Sequence, residues 1–132
     1  MKLLLTVTTA IILLTVLAAC GGGASPSPTL PTFGQLAQTG QTVFTSSCAR
    51  CHGDKGQGGN APAIIGANAN LKKYGTADAL LKFISTTMPQ TAPGSLTQQQ
   101  YQQLLAYLLV QNNTVTSVQS FDAGGLGKIT LK

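Results

Sequence analysis

At 132 residues the chain has room for one domain, whose core is marginal unless something staples or fills it. The net charge is +5, yet charged residues make up only 8% of the chain and form no basic run, which argues against nucleic-acid binding. Ligand and nucleophile chemistry is confined to three cysteines, one histidine and two methionines, Met1 and Met88.

Residues 1–19 read as a signal peptide. Lys2 gives a positive start, and Leu3 to Leu17 is an apolar run broken only by threonines. Leu17-Ala18-Ala19-Cys20 resembles a lipobox, with cleavage before Cys20 and acylation of that cysteine. The run is short and weakly flanked for a membrane-spanning helix, and an uncleaved anchor is the alternative. Both readings predict an exported domain, on the oxidising side of a membrane and tethered to it. Two or more acyl chains suffice for stable anchoring. Residues 20–33 are rich in glycine, serine and proline and read as a flexible linker. Without the leader, seven basic residues (Arg50, Lys55, Lys72, Lys73, Lys82, Lys128, Lys132) face three acids (Asp54, Asp78, Asp122), leaving +4.

A main helical domain is expected over 34–112. Its first helix runs from about Thr32 to Cys48, with Leu36, Gly40, Val43 and Phe44 on one side. A mid-helix glycine costs about 1 kcal/mol against alanine, so Gly40 suggests close approach of another helix. Gly53 to Asn60 is a glycine loop. It lacks the preceding strand and the Gly-Lys-Ser/Thr ending of a phosphate cradle. Pro62 to Tyr74 is irregular, with a short helix near Ala67 to Lys73. Thr76 caps a helix through Thr86 whose apolar face is Leu80, Phe83 and Ile84. Met88 to Gly94 is a loop stiffened by Pro89 and Pro93. The last helix opens on a capping box, Thr97 with Gln100, and a hydrophobic staple, Leu96 with Tyr101. Tyr101, Leu104, Leu105 and Leu108 carry its apolar period, and it ends near Asn112-Asn113. Residues 113–132 form a tail with two β-prone stretches, Val115 to Phe121 and Lys128 to Leu131. They predict either a short β hairpin or a frayed end.

Cys48-Ala49-Arg50-Cys51-His52 concentrates the chemistry. A zinc site needs three or four protein ligands around one ion. Cys48, Cys51 and His52 are adjacent in sequence, and no other histidine or spare cysteine exists to complete the set. A dithiol oxidoreductase needs strand–helix alternation around C-x-x-C, and here a helix precedes the motif and a glycine loop follows it. Covalent haem c fits each count. Both cysteine sulfurs add to the haem vinyl groups, and the histidine after the second cysteine lies under the iron as proximal ligand. Met88, 36 residues after His52, is the one methionine of the mature chain and the candidate sixth ligand. A methionine is otherwise a gap-filler in a core.

With these residues the chain resembles a class I monohaem cytochrome c over about Gln35 to Asn112. The resemblance implies an all-α fold, the small cytochrome c fold, with N- and C-terminal helices crossing around a covalent haem. It implies that Gly40 and Phe44, eight and four residues before Cys48, pack against Leu104 and Tyr107 where those helices cross. Ala61 to Gly66 is similar to the family's proline segment, in which a proline carbonyl, here that of Pro62, accepts the Nδ1 hydrogen bond of the proximal histidine. Met88-Pro89 is similar to the methionine-ligand loop. The lipobox, linker and tail depart from the pattern.

The expected function is electron transfer by a membrane-tethered, monomeric carrier with one haem c ligated by His52 and Met88. It is not expected to be an enzyme. The expected apolar wall is Ile64, Ile65, Leu71, Leu80, Phe83, Ile84, Leu105 and Leu108. Tyr74 is a candidate partner for a haem propionate. Lys72, Lys73 and Lys82 either ring the haem edge to steer an acidic redox partner or form an ordinary solvated face. The rival readings are a haem c enzyme or gas sensor with a displaceable Met88, and an exported thiol oxidoreductase.

Overall fold

The computed structural model describes residues 29–132. The signal peptide, the lipidation candidate Cys20 and most of the linker lie outside the described residues.

Among the described residues four α-helices form the frame: α1 (Phe33–Ser47), α2 (Ala49–His52), α3 (Ala77–Thr87) and α4 (Gln98–Gln111). Single 3-10 segments occupy Leu71–Tyr74 and Ala123–Lys128. Among the described residues no β-strand forms, only two isolated bridges.

Side-chain caps set where the helices begin. Thr32 and Gln35 form a capping box on α1, and Thr97 and Gln100 form one on α4. The Thr76 hydroxyl accepts from the Ala79 amide at the start of α3. At the end of α4, Asn113 takes φ 53°, a left-handed conformation that asparagine tolerates better than most residues. The Asn113 and Thr114 amides then donate to the Val110 and Leu109 carbonyls. These two bonds satisfy carbonyls that the helix end would leave unpaired.

The largest interface between elements is that of α1 with α4. It centres on Gly40, where an added Cβ would overlap the Gln103 backbone carbonyl and come within 2.9 Å of the Tyr107 Cβ. Phe44 is fully buried beside Tyr107, with ring centroids 5.3 Å apart. Leu104 is buried on the same helix. The single apolar stripe expected for α4 understates its burial. Gln103 and Leu104 through Leu109 are all buried, because α1, α3 and the cleft described below enclose the helix.

The tail corrects the hairpin and frayed-end expectations. Its β-prone stretches pair with the body of the domain and not with each other. Thr32 bridges Ser120 and Thr76 bridges Thr130, both antiparallel. The Phe33 and Gly34 amides donate to the Gln119 and Ser117 carbonyls, and the Leu131 amide donates to that of Gly75. Phe121 packs edge-on against Phe33 at 5.2 Å, and Val115, Leu126 and Leu131 are buried with it. The β propensity that predicts strands here serves a wrapped segment. Val115, Phe121, Leu126 and Leu131 are drawn into the domain core while Val118 stays exposed, and the segment's edges find backbone partners at the starts of α1 and α3.

Candidate haem-binding cleft

Cys48 ends α1 and begins the single turn of α2, so its sulfur is fixed by two helices. Cys51 and His52 follow on that turn. Gly53, at φ 84°, stops it, with its amide donating to the Ala49 carbonyl. The chain then doubles back through the glycine loop. The Gly58 amide donates to the His52 carbonyl and the Ala61 amide to that of Cys51, at 2.8 and 2.9 Å. Gly56 accepts from Ile64 and Ile65, and a Cβ on it would strike the Ile65 side chain at 2.8 Å. The loop's glycines thus let a backbone segment fold tightly over the motif, which is a structural use and not a phosphate-binding one.

This doubling back delivers Pro62 to the histidine. The His52 Nδ1–H donates to the Pro62 carbonyl at 2.7 Å. A carbonyl only accepts, so the proton sits on Nδ1 and the Nε2 lone pair is free to coordinate.

The motif opens onto a cleft of about 810 Å³, a volume within the usual range for small-molecule and cofactor pockets, on the order of 300–1,000 Å³. Cys48, Cys51, His52, Pro62, Tyr74 and Met88 all line it. Met88 is the C-terminal cap of α3, held by its amide to the Ile84 carbonyl at 3.1 Å. Ile64, Leu71, Leu80, Phe83, Ile84 and Leu108 supply the apolar wall. Two expected wall residues sit elsewhere: Ile65 packs at Gly56, and Leu105 is fully buried without lining the cleft. Leu104 takes their place, because i and i+4 on α4 share a face and Leu108 is already on the wall.

Tyr74 stacks on Phe83 with centroids 4.8 Å apart, and the Lys73 ammonium lies 5.0 Å above the Tyr74 ring. Lys73 and Arg50 line the cleft, whereas Lys72 and Lys82 do not. Burial, and to a lesser degree neighbouring Cys51, pushes the Cys48 thiol up to about 11, so as a free thiol it is protonated at neutral pH.

Two residues that sequence reasoning passed over tie this cleft together. Asn112 donates to the Ile64 and Leu108 carbonyls and accepts from the Gly66 amide, joining the end of α4 to the segment after Pro62. Tyr101 donates its phenolic hydroxyl to the Met88 carbonyl at 2.7 Å. Both stand at positions whose local roles, helix cap and apolar staple, already account for their residue type.

The donor set and shape fit a haem: two sulfurs and an imidazole on one wall, a thioether on the cleft, and an apolar lining between. They do not fit the rival chemistries. Among the described residues no three His, Cys, Asp or Glu side chains are grouped so as to hold a metal ion directly. No strand flanks the C-x-x-C turn, as a thioredoxin-like dithiol would require.

Comparison with known proteins agrees. The family described as cytochrome c oxidase, cbb3-type, subunit III matches residues 35–108, more than half of the chain. No curated protein matches significantly. Among solved structures, a chain of the sulfane dehydrogenase SoxCD from Paracoccus pantotrophus is similar with a TM-score of 0.62 and 20% identity, over 85% of this chain and 68% of that one. At that identity the likeness speaks for the fold. The thiosulfate dehydrogenase TsdBA from Marichromatium purpuratum, in its as-isolated form, gives a TM-score of 0.47 and 24% identity, over 80% of this chain and 25% of that one. The chain belongs to the cytochrome c family described by the cbb3-type oxidase subunit III, a class I fold that transfers electrons through one covalently attached haem c.

Proposed function

We propose that this protein is a dedicated single-electron carrier whose haem is bonded through Cys48 and Cys51 and ligated by His52 and Met88. The observation that carries the ligand assignment is the 2.7 Å bond from His52 Nδ1 to the Pro62 carbonyl, which orients the ring and leaves Nε2 as its donor. Met88, on the same cleft and fixed at the end of α3, is the one sulfur of the described chain not taken by attachment.

Bound there, haem supplies a one-electron iron couple, and thioether ligation favours its ferrous form. The residues around it do the remaining work. Pro62 holds the proton of His52 at Nδ1 and raises the basicity of Nε2. Leu80, Phe83, Ile84, Leu104 and Leu108 exclude water and penalise added positive charge in the cleft. His52 and Met88 would both be given over to holding the haem and would leave no ligand position open to a substrate, which supports carrier over catalyst. Tyr74, on the cleft, is assigned to a propionate. Lys73 and Arg50 give the cleft a positive rim suited to an acidic redox partner, with Lys72 and Lys82 extending the field on exposed surface.

The lipobox supports export and acylation at Cys20, so the carrier works tethered to a membrane as a monomer, facing the periplasm or cell exterior. Among the described residues no helix is long and apolar enough to cross a membrane.

Exposure of the ferrous holoprotein to carbon monoxide tests the assignment. The wild type should bind it slowly and weakly, and Met88→Ala should bind it at once. Rapid binding by the wild type would instead mark a gas sensor or enzyme with an open sixth position.

A further inference from the structure

The hydrogen bond from Tyr101 to Met88 is explained neither by the helix start nor by the core. Tyr101 stands in the first turn of α4, is 3% exposed, and buries its ring in the apolar core. A phenylalanine would do that equally well. The hydroxyl is a separate feature. It reaches back to the loop between α3 and α4 and donates to the Met88 carbonyl at 2.7 Å. That carbonyl lies past the end of α3, where the helix no longer supplies a donor.

The stripe on which Tyr101 sits gives the bond its meaning. Tyr101, Leu104 and Leu108 fall at i, i+3 and i+7 of α4, and the latter two line the cleft. The stripe therefore runs along the cleft and ends on the backbone of the residue assigned as distal ligand. At the far end of the same helix, Asn112 holds the Ile64 and Gly66 backbone on the proximal side. Gly40 locks α4 against α1 between these two points.

We propose that Tyr101 is a positioning residue for Met88: its hydroxyl anchors the Met88 backbone to α4 and thereby resists displacement of the thioether by outside ligands. The inference rests on Met88 as sixth ligand. The anchor acts on the closed, Met88-bound arrangement alone, because a loop that swings away breaks the bond. One such hydrogen bond between part-buried groups biases the closed arrangement by about tenfold.

The test is imidazole titration of the ferric holoprotein, read from the far-red methionine-to-iron band. Tyr101→Phe keeps the ring and removes the hydroxyl, and it should bind imidazole about tenfold more tightly than wild type. Phe121→Leu is the control: it thins the packing of the tail on Phe33, away from the cleft. It should lower the unfolding midpoint and leave imidazole affinity unchanged. Equal affinities for Tyr101→Phe and wild type would overturn the proposal while Met88 ligation stands. An equal rise in Phe121→Leu would overturn it too, since the effect would then be general loosening. A wild type without the methionine-to-iron band would remove both the ligand assignment and the inference built on it.

Discussion

At Gly40 a hydrogen in place of a side chain decides how closely α1 and α4 approach. Any Cβ there would overlap the Gln103 carbonyl, and backbone cannot yield as a flexible side chain would. Gly40→Ala should therefore destabilise the holoprotein by about 2 kcal/mol, measured by denaturant unfolding, because overpacking outweighs the helix propensity gained. Tyr107, packed across the same interface, is felt at high pH. Burial raises its hydroxyl above the ordinary value of 10. The folded state holds that proton more tightly than the unfolded chain does. Its stabilising contribution is complete below pH 10 and is lost as pH climbs through the raised value. Tyr107→Phe should accordingly flatten the fall in stability above pH 10. The residues that carry chemistry are legible from sequence because cysteine, histidine and methionine are scarce here and their spacing is constrained. Tyr101 and Asn112 are not, because a hydroxyl or amide that reaches a distant backbone carbonyl leaves no local periodic trace.

Among the elements, the helices follow from local signals: capping boxes at Thr32 and Thr97, a threonine cap at Thr76, and apolar faces of the right period. The tail does not. Residues 113–132 hold two β-prone stretches, but their backbone partners lie up to 90 residues away, at Pro31 to Gly34 and at Gly75 to Ala77. Such pairing depends on where the helices have already placed those backbones, which propensity does not encode. The wrapped tail also extends the core of a small domain, contributing Phe121, Leu126 and Leu131. Truncation after Asn113 should lower stability by on the order of 4 kcal/mol in thermal or denaturant unfolding, while the haem spectrum of the surviving folded fraction stays that of wild type. Loss of the spectrum with the tail would instead give residues 113–132 a direct part in the cleft.

For the whole molecule, one helix crossing and one glycine loop bring a contiguous pentapeptide and a methionine 36 residues distant onto the same apolar cleft. The crossing sets the floor, with Leu104 and Leu108 on α4. The loop turns Pro62 onto His52, and α3 ends at Met88 on the cleft. Haem fills the volume that a chain of this size cannot close with its own side chains. The absorption spectrum of the purified holoprotein in both redox states tests this arrangement most directly. A c-type spectrum that survives denaturation, with the far-red methionine-to-iron band in the oxidised form that disappears in Met88→Ala, is the expected result. Covalent haem without that band would contradict Met88 ligation, and absence of haem after expression with working attachment machinery would contradict the account as a whole.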